Sequence, residues 1–273
     1  IASMTAPLQV EIVMTPASTL ASPDVLLITP YKQGQVTVSG LRATMPALTN
    51  VPGNAHRMFV SGQNAVGEVP ATRWDVNAQP ELPNSLVAAR VRYGGFVNGV
   101  ELIDNTAFNV SPAEASAMDP QQRLLLELSY SSLHDSYLNR SLLSNSLTGV
   151  FVGIRSNDFE QILIASPAGG SVYAATGSSL SVASGRISYT LWLNGPCVSY
   201  DSACSAALSA THASLRALQL NECATGLVAG AFLMLTPNVS ASFGIAGMTS
   251  PRGRSHTFDA RADGYARGEA CGA

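Results

Sequence analysis

The chain has 273 residues, of which 46% are hydrophobic and only 12% are charged, and its formal net charge is −3. This length and apolar content suffice for one large core or two small ones, and the slightly acidic balance argues against a nucleic-acid-binding protein. The apolar stretches between residues 10 and 28 are interrupted by Pro16, Pro23 and Asp24, so no membrane span is predicted there.

Residues 1–35 are rich in Ser, Thr, Ala and Pro and are interpreted as a linker or an upstream remnant. No basic residue precedes Lys32, which does not support a signal peptide. The cysteines show no CxxC or metal-binding spacing, and this is typical of reduced thiols in an intracellular protein, cytoplasmic or plastid. They are Cys197, Cys204, Cys223 and Cys271.

The first predicted elements are a strand and a capped helix. Residues 36–38 (VTV) predict a short strand that ends before Gly40. Asp119 is a good helix N-cap, Pro120 suits the first helical position, and Gln122 is placed to close a capping box. Leucines then repeat at helical spacing through residue 133. Capping accounts for residues 119–123 without chemistry.

Further along, strands and helices alternate. Residues 150–152 predict a buried strand, residues 198–200 a second strand, and residues 227–235 a central strand in which Gly230 allows close packing. Residues 205–220 predict a helix that is apolar nearly all round, and hence buried on most sides. The alternation predicts an α/β fold with a mostly parallel sheet covered on both faces.

Cys204 is the candidate catalytic residue, because it lies where the strand at 198–200 gives way to the helix at 205–220. The unpaired backbone N–H groups at a helix N-terminus favour negative charge and therefore the thiolate, which is the nucleophile of acyl transfer. The alternative is that Cys204 is a buried thiol acting as a small hydrophobic residue. The local pattern leaves both interpretations open.

Six stretches, in order along residues 36–273, match the motifs of one family. The segment around Cys204 (residues 196–208, PCVSYDSACSAAL) resembles the active-site turn of the β-ketoacyl synthases, the condensing enzymes of fatty-acid and polyketide assembly. The resemblance is strongest to the modular polyketide type. The other stretches are residues 69–75 (VPATRWD), 92–123 (with RYGGF, FNVSP, EA and MDPQQR), 149–153 (GVFVG), 183–189 (ASGRISY) and 258–269 (FDARADGYARGE).

The chain departs from the family at a few positions. The family usually carries Thr-Ala-Cys-Ser-Ser-Ser, whereas this chain has Ser202 at the first position and Ala206 and Ala207 at the last two. Ala270 stands where the family prefers Gly. None of these departures affects the cysteine itself, which is retained as Cys204.

The resemblance implies a thiolase-like αβαβα layered fold, of which residues 36–273 would be the first half and the start of the second. It implies that Cys204 takes an acyl group from the phosphopantetheine arm of an acyl carrier protein. A malonyl-type extender then condenses with loss of CO₂. Acyl and malonyl-type thioesters would be the substrates, and the full-length protein would be a homodimer. No bound cofactor, metal or nucleic acid is expected.

In this family two histidines and a lysine stabilise the enolate, and they lie further along the chain. The four histidines of this chain, His56, His134, His212 and His256, fall outside those motifs and are interpreted as surface or packing residues. We therefore expect residues 1–273 alone to be unable to complete decarboxylative condensation.

Three alternatives remain. A non-condensing relative, either a decarboxylase or a chain-length partner, would keep the fold, although such proteins usually lose the cysteine that is retained here. A thiolase would share the architecture, but its cysteine motifs differ. The third alternative is a structural docking module of a megasynthase.

Overall fold

The computed structural model describes residues 36–47, 52–78, 84–155 and 158–273. The predicted linker, residues 1–35, lies outside the described residues. Within them the strands are β1 (Ala43–Thr44), β2 (Gly67–Glu68), β3 (Tyr93–Gly95), β4 (Thr148–Ile154), β5 (Cys197–Tyr200), β6 (Thr225–Phe232), β7 (Arg267–Gly268) and β8 (Ala270–Gly272).

Helices and two 3₁₀ turns of the same described residues lie between these strands along the chain. The 3₁₀ turn Pro167–Gly170 lies between two helices, and the 3₁₀ turn Ala203–Ser205 lies between β5 and the helix that follows it. None of the helices in the described ranges is long and apolar enough to cross a membrane. They are α1 (Pro52–Val60), α2 (Ser85–Arg90), α3 (Pro112–Ala117), α4 (Pro120–Asp135), α5 (Arg140–Leu143), α6 (Asp158–Ile164), α7 (Ala174–Ser178), α8 (Leu180–Leu191), α9 (Ala206–Gln219) and α10 (Asn238–Ile245).

A five-stranded sheet in the order β1-β8-β6-β4-β5 forms the centre of the fold. Strands β6, β4 and β5 are parallel to one another, whereas β8 runs antiparallel to both β6 and β1. The predicted α/β alternation is therefore confirmed; the sheet is mixed, with β8 running opposite to the other four strands. Between β6 and β8 the chain passes through α10 and through β7 of the second sheet, and it re-enters the central sheet in the direction opposite to β6.

The two faces of this sheet are covered differently. Helices α4 and α8 pack on one face, where Val150, Val152 and Leu227 point into the largest hydrophobic core. Helix α9 packs on the other face against β4, β5 and β6, and its smaller core includes Phe151 and Ala210. Strand residues alternate between the faces with a period of two, so β4 is buried along its whole length.

A second sheet in the order β2-β3-β7 lies beside the first. Strand β3 pairs antiparallel with β2 and parallel with β7. A separate apolar cluster is built on Trp74, Val69 and Met234, with Phe96 contacting Trp74 edge to face at a ring separation of 6.1 Å. The stretch at 69–75 is thereby packed against the end of β6.

The predicted N-cap of α4 is confirmed: the Asp119 side chain accepts a hydrogen bond from the Gln121 backbone N–H at 2.8 Å. The capping-box role of Gln122 is wrong. Its side-chain amide instead donates to the backbone carbonyls of Thr176 and Ser179 at 3.2 and 3.1 Å, because Gln122 is buried where α4 meets the α7–α8 junction.

The strands predicted at 150–152 and 198–200 are confirmed as parts of β4 and β5, and the strand at 227–235 as part of β6, which ends at Phe232. The strand predicted at 36–38 is wrong, because those residues form no ladder and the first pairing begins at Ala43. The helix predicted at 205–220 is confirmed as α9, but only one of its faces is buried. Its outer face is open in this chain, and Leu208 on it is 72% exposed.

Candidate active site

Cys204 lies on a tight turn between β5 and α9, at the centre of the 3₁₀ turn Ala203–Ser205. The side chain is exposed, so the interpretation of Cys204 as a buried structural thiol is wrong. Helix α9 begins two residues later, which places the thiol beside the positive end of a fourteen-residue helix. The predicted strand–turn–helix geometry is confirmed.

The backbone just before Cys204 is strained. Ala203 has a φ of 56°, a left-handed conformation that costs an L-residue about 1–2 kcal/mol. The Asp201 carboxylate accepts a hydrogen bond from the Ala203 backbone N–H at 3.0 Å, an Asx-type turn that favours this reversal. Strain of this kind persists only where the surroundings fix it, and it is concentrated at functional sites.

Three serine hydroxyls surround the same turn, and Ser202, Ser205 and Ser209 are together called the serine cluster below. The Ser205 hydroxyl donates toward the backbone carbonyl and the hydroxyl of Ser202, at 2.8 and 3.0 Å. The Ser202 and Ser209 hydroxyls are 3.0 Å apart and share a hydrogen bond. The cluster therefore connects the residues on both sides of Cys204 to the first turns of α9.

Beneath the turn, the sheet approaches the helix backbone very closely. A Cβ added to Gly153 of β4 would lie 2.4 Å from the backbone nitrogen of Ala207, and one added to Gly230 of β6 would lie 3.2 Å from the Ala207 Cβ. Only glycine fits at Gly153, and the small Ala206 and Ala207 lie directly above it. This contact determines the height of the first turn of α9, and hence of Cys204, over the sheet.

The histidines of the chain take no part in this site. His56, His134 and His212 are exposed and His256 is half-buried, in agreement with their interpretation as surface or packing residues. Among the described residues, no group of three His, Cys, Asp or Glu side chains is placed to hold a metal ion.

A buried ion pair joins two of the family motifs. Glu269 and Arg73 form two parallel hydrogen bonds, from Nε to Oε1 at 3.0 Å and from Nη2 to Oε2 at 2.9 Å, and their side chains are 0% and 5% exposed. The carboxylate also accepts the backbone N–H groups of Val97 at 2.7 Å and Met234 at 3.0 Å. This Glu269 clamp connects residue 73, the end of β3, the end of β6 and the β7–β8 segment.

A second polar contact joins three further motif residues. Arg186 of α8 donates from Nε to the side-chain oxygen of Gln122 at 2.7 Å and from Nη1 to the Glu114 carboxylate. The polar motif residues at 114, 122 and 186 are thus structural partners, which supports the structural interpretation of residues 119–123.

Asp119 is the most perturbed carboxylate of the described residues. Burial raises its pKa from 3.8 to about 6, opposed by the hydrogen bonds from Gln121 and the charge of Arg123, while the charge of Asp158 adds to the increase. The Asp119 carboxyl lies below the surface as a helix cap and has no opening to solvent. Its perturbation is therefore assigned to burial rather than to catalysis.

The sequence motifs and this fold are those of a condensing-enzyme domain. Residues 33–273 match the family model described as the N-terminal domain of β-ketoacyl synthases, and the chain belongs to the β-ketoacyl synthase family. The expected thiolase-like fold is confirmed by the solved structures below.

Among curated relatives, a mycocerosic acid synthase-like polyketide synthase of Mycolicibacterium smegmatis is 36% identical over 240 residues, covering 86% of this chain and 11% of that protein. The spectinabilin polyketide synthase system protein NorC of Streptomyces orinoci is 39% identical over 240 residues, covering 87% of this chain and 10% of that protein. The chain thus spans less than a fifth of the length of these relatives.

The solved structures it resembles are ketosynthase domains. The ketosynthase from module 6 of the bacillaene synthase of Bacillus subtilis 168 superposes with a TM-score of 0.73 at 33% identity, covering 86% of this chain and 38% of that chain. The oxazolomycin ketosynthase domain OzmH KS7 of Streptomyces albus JA3453 gives 0.77 at 29% identity, covering 86% and 41%.

Sequence reasoning identified Cys204 but missed the residues that hold its turn. Asp201 precedes the turn at the position where Asx turns begin, so that contact had a readable signal. Ser209 had none, because its hydroxyl reaches Ser202 only after the helix has folded back over the strand.

Proposed function

We propose that Cys204 is the nucleophile of a β-ketoacyl synthase that acts in polyketide or fatty-acid assembly. The observation that carries the proposal is the exposed thiol of Cys204 on a strained turn at the N-terminus of α9, in a chain of this family. Substrates would be carried on the phosphopantetheine arm of an acyl carrier protein, and no bound cofactor is required.

In the first step, the Cys204 thiolate attacks the carbonyl carbon of an acyl thioester. The new carbon–sulfur bond forms as the bond to the pantetheine sulfur breaks, and the pantetheine leaves as a thiolate that takes up a proton. The attacking sulfur lies beside the positive end of α9. The backbone N–H of Cys204 would be one donor to the oxyanion that develops.

In the second step, a malonyl-type thioester loses CO₂, and the resulting carbanion attacks the acyl group on Cys204. The Cys204 thiolate is the leaving group, and the product is a β-ketoacyl thioester two backbone carbons longer. None of the described histidines lies in the turn that carries Cys204, and donors for the enolate would come from other parts of the full-length protein. Residues 1–273 alone are therefore proposed to be inactive in condensation.

The test is acylation of the complete polypeptide by an acyl group carried on an acyl carrier protein, followed by mass spectrometry of the peptide that contains Cys204. We expect an acyl adduct on Cys204, no adduct in Cys204→Ala, and a β-ketoacyl product once malonyl carrier is added. The control is Cys197→Ala, which removes the other exposed thiol and should leave the adduct intact.

Other outcomes separate the alternatives. An adduct without a condensation product would favour a non-condensing relative. Failure of wild-type protein to form an adduct would contradict the proposed nucleophile and favour a docking module. A β-ketoacyl product from purified residues 1–273 would contradict the proposed inactivity of this part alone.

We also propose a homodimer. Strand β5 is an edge of the central sheet, and Tyr189 and Trp192 are exposed where α8, which packs on β5, ends. An exposed edge beside apolar side chains is a favourable surface for pairing. Light scattering of the complete polypeptide is expected to give the mass of two chains, and a monomer would contradict this proposal.

The four cysteines are unpaired, which supports the proposed intracellular location, in the cytoplasm or a plastid, where thiols remain reduced.

A further inference from the structure

We propose that Ser202, Ser205 and Ser209 are positioning residues for Cys204, with Ser209 as the helix-side anchor. The inference rests on the proposed function, because it concerns the thiol that would accept the acyl group. It assigns a role to the hydroxyl of Ser209, which lies five residues beyond Cys204 and outside the turn itself.

The first step of the argument is the geometry of the turn. Ala203 has a left-handed φ of 56°, and a turn strained in this way relaxes unless its neighbours hold it. Asp201 holds Ala203 from the strand side through a 3.0 Å hydrogen bond. On the helix side, the corresponding restraint is the bond between the Ser202 and Ser209 hydroxyls, at 3.0 Å.

The second step is that the hydroxyls form one connected set. Ser205 donates to the carbonyl or the hydroxyl of Ser202, and the remaining hydrogen-bonding capacity of the Ser202 hydroxyl is used by Ser209. Because Ser202 and Ser205 lie on either side of Cys204, the cluster fixes both ends of the short segment that carries the thiol. Loss of one member should therefore weaken the restraint from the others.

The third step separates positioning from stability. Ser202 and Ser205 are exposed and Ser209 is half-buried, so water can replace any of these hydrogen bonds in a variant. The fold should not depend on them. The orientation of the thiol at the start of α9 should depend on them, and with it the rate at which the sulfur reacts. Reactivity is then expected to change while stability does not.

The first turn of α9 lacks two hydroxyls that the family usually carries. The hydroxyls that the family usually carries at 206 and 207 are replaced by Ala206 and Ala207. Ala206 is buried, and both residues lie over the close contact with Gly153. The next position whose hydroxyl reaches the residue at 202 is Ser209.

The experiment measures the rate at which iodoacetamide alkylates Cys204 in the complete polypeptide, relative to Cys197, by mass spectrometry. Cys197 is also exposed and lies at the start of β5, so it is an internal reference that the serine cluster does not touch. We expect Ser209→Ala and Ser202→Ala each to lower the Cys204-to-Cys197 ratio about three- to tenfold. Ser209→Thr, which keeps the hydroxyl, should stay within about twofold of wild type.

Two controls make the result specific. Thr211→Ala removes a hydroxyl from the same helix that donates to the Ala207 carbonyl at 2.8 Å and is not part of the serine cluster, so it should leave the ratio unchanged. The double variant Ser202→Ala/Ser209→Ala should be no slower than the slower single variant, because both changes break the same link. Hydrogen exchange of β4 should be the same in all variants.

An unchanged ratio in Ser209→Ala, or an equal decrease in Thr211→Ala, would overturn the proposal. A parallel measurement with a six-carbon acyl N-acetylcysteamine thioester tests the proposed function separately. If wild-type Cys204 is alkylated but never acylated, the proposed acyl transfer fails, whereas the alkylation ratio still decides the role of the serine cluster.

Discussion

The Glu269 clamp and the Cys204 turn are both held by polar side chains, but water reaches only one of them. The clamp is sealed: its carboxylate receives four hydrogen bonds, and Glu269 is 2% exposed. The turn is open: Ser202, Cys204 and Ser205 are exposed and Ser209 is half-buried. The same types of interaction therefore have different consequences in the two regions.

In the sealed region, a polar group that loses its partner has no water to replace it, so the cost is large and is a cost in stability. In the open region, water can replace a lost partner, so the expected effect is a change in the geometry of the Cys204 turn rather than in stability. The contrast shows that motif residues of one family can serve different purposes, some stabilising the fold and others fixing the geometry of a turn. Arg73 and Glu269 are expected to stabilise the domain, whereas the residues around Cys204 are proposed to position its thiol.

The largest effect is expected at the clamp. Glu269→Gln removes the charge that pairs with Arg73 and leaves a buried guanidinium without a counter-ion, which costs about 3–5 kcal/mol of unfolding free energy. Hydrogen exchange of the β4 and β6 amides in the complete polypeptide should show a corresponding loss of protection.

The matched control is Glu68→Gln, which breaks the 2.9 Å ion pair between Glu68 and Arg92. The side chains of this pair are exposed, Glu68 by 59% and Arg92 by 41%. The substitution should leave the protection of β4 and β6 unchanged, because exposed pairs contribute little. Equal effects of the two substitutions would show that burial does not distinguish them.

The next largest effect is expected at Asp119, a carboxyl group that is buried like that of Glu269. Its pKa is raised from 3.8 to about 6, chiefly by burial. The folded chain therefore binds this proton more tightly than the unfolded chain, and stability falls as the pH rises from about 4 to about 6, by up to about 3 kcal/mol for this group. Asp119→Asn keeps the cap acceptor and should remove that part of the pH dependence, with equal or higher stability at pH 7.

Unfolding midpoints measured across this pH range test the expectation. Asp104→Asn is the control, because the exposed Asp104 also accepts a backbone N–H, that of Ala107 at 3.0 Å. A wild-type slope that survives in Asp119→Asn would assign the pH dependence to other groups.

The smallest change in stability is expected beneath the turn, together with a clear change in reactivity. Gly153→Ala places a Cβ 2.4 Å from the Ala207 backbone nitrogen, so the start of α9 must move, at a cost of about 1–3 kcal/mol. Acylation of Cys204 should fall at least about tenfold, which corresponds to about 1.4 kcal/mol or more in the barrier.

Gly185→Ala in α8 is the control for Gly153→Ala, since a Cβ there meets no other atom within 4 Å. It should preserve acylation and leave stability equal or slightly higher, because alanine is the better helix former. Normal acylation in Gly153→Ala would contradict this prediction, because it would mean that the reactivity of the Cys204 thiol does not depend on the position of α9.

Much of this arrangement was predictable from sequence. Hydrophobic runs and the change of pattern at Cys204 identified β4, β5, β6 and α9, and capping chemistry identified the start of α4. These features are local, and local propensity and side-chain period determine them. For Cys204 the local pattern left a buried structural thiol open as an alternative, and the resemblance of residues 196–208 to the family's active-site turn is what selected it as the candidate nucleophile.

What could not be predicted is non-local. No sequence pattern links Arg73 to Glu269, because their contact depends on how the sheet is assembled. The antiparallel entry of β8 and the destination of Gln122 have the same origin. The outer face of α9 was wrongly expected to be buried, since composition shows that a helix is apolar but not which of its faces finds a partner within the chain.

The position of β8 has a consequence for how the domain is made. This strand, residues 270–272, lies between β1 near the beginning of the chain and β6, and Glu269 beside it meets a residue 196 positions earlier. Strand β1 is therefore synthesised long before β8, the strand with which it pairs, and it stays without that partner until residues 270–272 follow.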